Sequence, residues 1–137
     1  MTQDLVTTLR RYPNTTVAWT FISLVIMLVH LALPRTFAFD LTALLLAVIA
    51  AIYVGFALQD GRPLILVQEV TAAAVFVLFA ALGLWVSPYL WALGLALHGV
   101  WDWLHHPQGV QTQVPDYYPP VCVVVDWSLA VFLLIWL

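Results

Sequence analysis

The sequence predicts an all-α integral membrane protein, a single bundle of five transmembrane helices spanning residues 1–137. Three observations carry that reading. Of the 137 residues, 64% are hydrophobic and 8% are charged, whereas a soluble domain carries about 25% charged residues. The mean hydropathy is +1.02. Five apolar runs approach the roughly 20 residues that a hydrocarbon core about 30 Å thick demands of a helix. Lipid offers the backbone no hydrogen-bond partners, so such runs cross as helices.

The first run is Thr15–Leu33, closed by Pro34. Arg10 and Arg11 precede it, as cations precede the core of a signal peptide. The run is long for such a core and no small-x-small cleavage pattern follows, so it reads as a retained span. The second is Ala38–Leu58, ended by the turn "QDGRP". The third, Leu64–Val86, breaks at Ser87–Pro88, and Pro88 suits the first turn of the fourth, Pro88–His106. A polar connection, Pro107–Tyr118, leads to the fifth, Pro119–Leu137. The fifth is the weakest of the set, because it contains Asp126. A four-span reading would make one segment re-entrant.

Cations set the orientation. There is no lysine. With five alternating helices, Arg10, Arg11 and Arg62 share one side and Arg35 takes the other, which favours a cytoplasmic N-terminus. Trp85, Tyr89, Trp91, Trp103, Tyr117, Tyr118 and Trp136 are expected in interfacial aromatic belts. Gly94 and Gly99 are expected to let helices approach closely. The single cysteine, Cys122, has no internal partner and reads as a buried, inert thiol.

The composition and motifs exclude several classes. No basic patch exists, so nucleic-acid binding is not expected. The chain has no P-loop, no G-x-S-x-G elbow, no H-E-x-x-H helix and no C-x-x-C-H haem attachment.

The titratable residues carry the functional argument. "LHGVWDWLHH", Leu97–His106, holds three histidines and an aspartate. At 1.5 Å per residue, Glu69 lies about 8 Å into the third helix, Asp102 about 6 Å and His98 about 12 Å from the end of the fourth, and Asp126 about 10 Å into the fifth. Alternation therefore brings all of them into one leaflet. At about 100° per residue, His98, Asp102 and His105 fall within an arc of about 60°, with His106 just off it. Imidazole and carboxylate together are common ligands of zinc and non-haem iron. His98, Asp102, His105 and His106 are thus candidate metal ligands, with Glu69 and Asp126 as candidate catalytic groups, each a further ligand or a general base. The competing structural reading makes the same residues interhelical hydrogen-bond partners. His30, near the opposite membrane face, is expected to be interfacial. Tyr53 and Ser23 sit mid-span with no assigned partner. "VPDYYPP" is either a lid over the polar site or an interfacial turn.

The run His98-Gly-Val-Trp-Asp102-Trp-Leu-His105-His106, followed by "VPDYYPPVCVVVDW", resembles a stretch found in small uncharacterised bacterial multi-span membrane proteins. The resemblance covers roughly the last forty residues. It implies a fold type and a bacterial inner membrane, and carries no activity with it. "LALHGVW" is also similar to pigment-ligating antenna helices, through one histidine in an apolar helix.

Three functional expectations follow. The first is a metal-dependent enzyme of hydrolase type, using a divalent ion such as zinc or iron on a lipid-like or hydrophobic small molecule. The second is a proton, ion or small-solute transporter. The third is a non-catalytic subunit that binds haem or pigment through His98 or His30, or packs against a protein partner or a second copy of itself.

Overall fold

The computed structural model describes residues 5–106, 110 and 112–137. Six helices form: α1 Leu5–Arg11, α2 Pro13–Ala32, α3 Arg35–Asp60, α4 Pro63–Trp85, α5 Tyr89–Leu104 and α6 Tyr118–Trp136. No strand occurs among the described residues. Prolines set several starts. Pro13 and Pro63 lie in the first turns of α2 and α4, where a missing N–H costs nothing. Gly61 ends α3 in the left-handed region, φ 75°, which a side chain would strain.

Contacts at the helix ends give the topology. At one end, Thr8 of α1 reaches His106, Trp19 of α2 packs on Tyr118, and Glu69 of α4 bonds His105. At the other end, His30 of α2 meets Thr42 of α3 and Trp136 of α6, and the Trp91 indole of α5 donates to the Ala80 carbonyl of α4. Helices α2 to α6 therefore alternate in direction. Four of them, α2, α3, α4 and α6, are long and apolar enough to cross a membrane. Helix α5 has 16 residues, about 24 Å at 1.5 Å per residue, yet it reaches from Trp91 at one end to His105 at the other. It is short because the Ser87–Pro88 break delays its start.

Helix α5 buries Trp91, Leu95, His98, Asp102 and His105, spaced three or four residues apart on one stripe. That stripe meets α6, which buries Asp126, Leu129, Ala130 and Leu133. The weakest of the expected spans is thus the most enclosed: half of its apolar window is buried, against a ninth for α2. Asp126 lowers the apolarity of α6 because it faces inward. The outer surface is apolar, with Phe21, Leu28, Leu44, Leu64 and Ile135 all exposed. An apolar surface of this kind suits lipid.

Several expectations change. The N-terminal α1 lies outside the predicted spans. Trp91 is no belt residue, because its ring fills a notch at Gly83. Trp85, Tyr89 and Trp103 are exposed near helix ends, as belts require. His30 is buried rather than interfacial: its Nδ1–H donates to the Ile26 carbonyl at 2.7 Å and Nε2 faces the Thr42 hydroxyl at 2.9 Å. Cys122 is only partly buried. The expected connection Pro107–Tyr118 falls partly outside the described residues, at 107–109 and 111.

The Gly83 notch is testable. A Cβ there would collide with the Trp91 indole, which is itself buried and bonded to Ala80. Gly83→Ala should destabilise the bundle by about 1–3 kcal/mol through overpacking, read as a lower thermal midpoint in detergent, whereas Gly55→Ala, with open space around it, should leave that midpoint in place.

Candidate metal centre

Two polar networks sit inside the end of the bundle where α3 ends and α6 begins. Both draw on the inward stripe of α5. In the first, Asp126 of α6 faces His98 of α5, with Nδ1 and Oδ2 2.6 Å apart. Asp102, one turn beyond His98, brings its Oδ2 to 3.5 Å from the same Nδ1. All three side chains are buried. One ligand atom from each lies within 4.8 Å of the others, so this group can hold a metal ion.

In the second network, His105 Nε2 lies 3.0 Å from Glu69 Oε1, and its Nδ1–H donates to the Trp101 carbonyl at 2.8 Å. The Trp101 indole N–H donates to Glu69 Oε2 at 3.2 Å, and the Thr112 hydroxyl donates to Oε1. Both ring nitrogens of His105 thus lie within hydrogen-bond reach of oxygens, and both oxygens of Glu69 have partners. The network is complete. It ties α4, α5 and the segment leading to α6 to one carboxylate.

Tyr53 of α3 stands between the two. Its ring stacks on His105, with centroids 4.1 Å apart and planes 29° apart, and lies 6.1 Å from the His98 ring. Tyr118, at the start of α6, packs edge-on against Tyr53 and Phe56. Tyr118, the last residue of "DYY", therefore packs against the bundle beside Tyr53, while Asp116 is exposed.

The structure divides the sequence-derived set. His98, Asp102 and Asp126 come together. His105 is engaged by Glu69 and does not join them. His106 turns to α1, where its Nε2 lies 3.5 Å from the Thr8 hydroxyl. Its position off the stripe explains the turn. Glu69, expected beside the metal ligands, is instead the anchor of the second network. Sequence reasoning missed Thr112 and Tyr53 as members. Tyr53 carried a usable signal: Ala50, Tyr53 and Ala57 share one inward face of α3, at the spacing of a buried stripe. Thr112 carried none, since its place depends on how the connection folds back.

Polar satisfaction separates the networks. The buried side-chain atoms without a hydrogen-bond partner, among the described residues, are Tyr53 Oη, His98 Nε2 and both oxygens of Asp102. All four belong to the first network or border it. A buried carboxylate with neither oxygen bonded is a costly arrangement unless something polar completes it. The donor set also fits a metal. Two atoms about 2.1 Å from one zinc ion lie about 3.0–3.4 Å apart in octahedral or tetrahedral geometry, so the 2.6 Å His98–Asp126 hydrogen bond must widen by a few tenths of an ångström for an ion to enter.

The structure defines an all-helical bundle of membrane-spanning type with a buried His/Asp/Asp cluster. The chain belongs to the family described as "Family of unknown function (DUF6010)", matched over residues 14–136. No curated protein and no solved structure matches it.

The second network yields a stability prediction. Glu69→Ala leaves His105 buried without its partner and should cost about 3–5 kcal/mol. Thr112→Val removes one donor to a charged group and should cost about 1.5–3 kcal/mol. Denaturation midpoints of the two variants in one detergent check the order.

Proposed function

We propose that this protein is a membrane-embedded, metal-dependent enzyme of hydrolase type, acting on a lipid-like or otherwise hydrophobic substrate. One observation carries the reading: His98, Asp102 and Asp126 converge in a buried site where the Asp102 carboxylate has both oxygens free of hydrogen bonds. Zinc or ferrous iron is the class of ion that suits one imidazole and two carboxylates. Such an ion, when bound, supplies a water of lowered pKa and a Lewis acid.

The chain's own residues do the rest. His98, Asp102 and Asp126 hold the ion. The Nδ1 proton that His98 shares with Asp126 must leave if that nitrogen is to ligate, so uptake weakens as pH falls. That proton is released to solvent on uptake, because Asp126 must stay ionised to serve as a ligand. Glu69 has no free oxygen for the reaction, and it fixes the far end of α5 instead. The surrounding bundle closes the three side chains off from solvent.

The arginines bear on the substrate. Arg62 bonds Asp60 at 2.5 Å, Arg35 lies over Trp136 at the opposite end, and Arg11 lies over Tyr12. These contacts lie at helix ends, and the cluster itself carries two carboxylates. A neutral ester or amide headgroup suits such a site better than a phosphate. The reading places the protein in a bacterial inner membrane with a cytoplasmic N-terminus, in contact with membrane lipid, and it is compatible with a second copy or another protein as partner. A C-terminal alkaline phosphatase fusion should then be active, because five alternating helices carry that end outward.

Metal analysis of protein purified without chelator tests the function directly. Stoichiometric zinc or iron is expected, reduced to background in His98→Ala and Asp102→Asn and kept in His106→Ala. Hydrolysis of neutral ester lipids should follow the metal content. Metal-free protein that shows a haem or pigment spectrum would favour ligation through the free His98 Nε2 instead. His30 does not suit that role, because both of its ring nitrogens are engaged.

A further inference from the structure

The metal reading assigns no role to Tyr53, which is 1% exposed. A buried phenol normally finds a hydrogen-bond partner. The Tyr53 ring lies 6.1 Å from the His98 ring, and its hydroxyl closes no hydrogen bond. The other unpartnered buried atoms among the described residues are both oxygens of that same Asp102 and Nε2 of His98. Unsatisfied groups scattered through a bundle would signal loose packing. These come from two helices whose Tyr53 and His98 rings lie 6.1 Å apart. The chemistry they offer is mixed: a phenol that donates, a carboxylate that accepts, and an imidazole nitrogen that does either. A small oxygen ligand such as water needs two to four polar partners of that kind.

The ring is also held. His105 stacks on one face at 4.1 Å, and His105 is itself fixed by Glu69 and the Trp101 carbonyl. Tyr118 and Phe56 close further sides, with centroids 6.0 and 6.2 Å from Tyr53. The second network thus fixes the plane of a ring that borders the first. A carboxylate alone accepts from a bound water and leaves its oxygen otherwise unrestrained. A phenol donor gives that oxygen a direction.

We propose that Tyr53 is a fourth residue of the site, and that its hydroxyl donates to the oxygen ligand, water or a substrate carbonyl, that Asp102 and His98 hold. The Glu69–His105 pair acts on the site through it, as a clamp on the ring. The inference rests on the reading of His98, Asp102 and Asp126 as a ligand-binding site. The identity of the metal does not enter it.

The experiment compares wild type and Tyr53→Phe in nanodiscs, with histidine labelled by 15N, first without metal and then with Co2+. Phenylalanine keeps the ring on His105 and removes only the hydroxyl. At a fixed pH the His98 Nε2 resonance of the metal-free variant should move while the His30 resonances stay in place. Co2+ should bind roughly three- to tenfold more weakly, the worth of one lost hydrogen bond. An unmoved His98 resonance overturns the proposal, and so does Co2+ affinity equal to that of the wild type. Wild-type protein that takes up no Co2+, while the His98 resonance responds to Tyr53→Phe, removes the metal reading and supports Tyr53 as the group holding a water. Should Tyr53→Phe fail to fold, 3-fluorotyrosine at residue 53 keeps the hydroxyl and sharpens its acidity. It must then shift the His98 resonance, and an unshifted resonance overturns the proposal by that route.

Discussion

The contact between His98 and Asp126, 2.6 Å long and closed off from solvent, is the constraint on which this end of the bundle depends. A charged group at the centre of a membrane helix costs about 2.5–3.5 kcal/mol on insertion scales. Helix α6 carries Asp126 and helix α5 carries Asp102 and His98, so neither is comfortable alone in lipid. Facing each other, they bury the polar atoms in protein. This accounts for the burial of α6 and of the polar stripe of α5.

Once α5 and α6 are joined there, other contacts are placed. Gly99, one residue after His98, has the Trp127 indole against it, and that indole N–H donates to the Ala96 carbonyl at 3.1 Å. A larger residue at 99 would separate the helices where the imidazole and carboxylate meet. At the other end of α5, the Gly83 notch takes Trp91. The polar pair and the two close approaches together fix the rotation of α5 about its own axis. A rotation of one residue, about 100°, would carry His98 and Asp102 out toward lipid.

Helical period and bilayer length made much of this legible. Apolar runs bounded by proline gave α2 to α6 to within a few residues, since proline and lipid leave the backbone few alternatives. Counting along antiparallel helices placed Glu69, Asp102, His98 and Asp126 in one leaflet, and the side chains do meet there. The same counting failed to say who pairs with whom. His98, Asp102 and His105 share a stripe, so rotation alone suggested three ligands of one ion. What separates them is Tyr53, whose ring lies against both histidines, and Thr112, which returns from the connection to Glu69. Both are tertiary facts. His30 was misread for a related reason. Its depth was inferred correctly as the opposite end, but depth does not reveal which way a ring points, and Thr42 one helix away decides that it points inward.

The division into two networks has a consequence for charge. Three histidines and three acids within one leaflet would balance if each imidazole took one carboxylate. They do not distribute that way. Glu69 takes His105 outright and completes its bonding with Trp101 and Thr112. His106 leaves for α1. The site between α5 and α6 is left with two carboxylates and a single imidazole, so even a protonated His98 cannot neutralise both. Two carboxylates this close disfavour joint ionisation, and a buried negative excess is resolved by a proton or by a cation. Here the oxygen atoms without hydrogen bonds belong to Asp102, which lies farther from His98, at 3.5 Å. A proton on Asp102 would settle the charge and still leave lone pairs unmet. A divalent cation settles both together, because it accepts electron pairs from Asp102, Asp126 and the imidazole at once. The uneven sharing of histidines between the two networks leaves Asp102 and Asp126 with one imidazole, a group that could hold a metal ion.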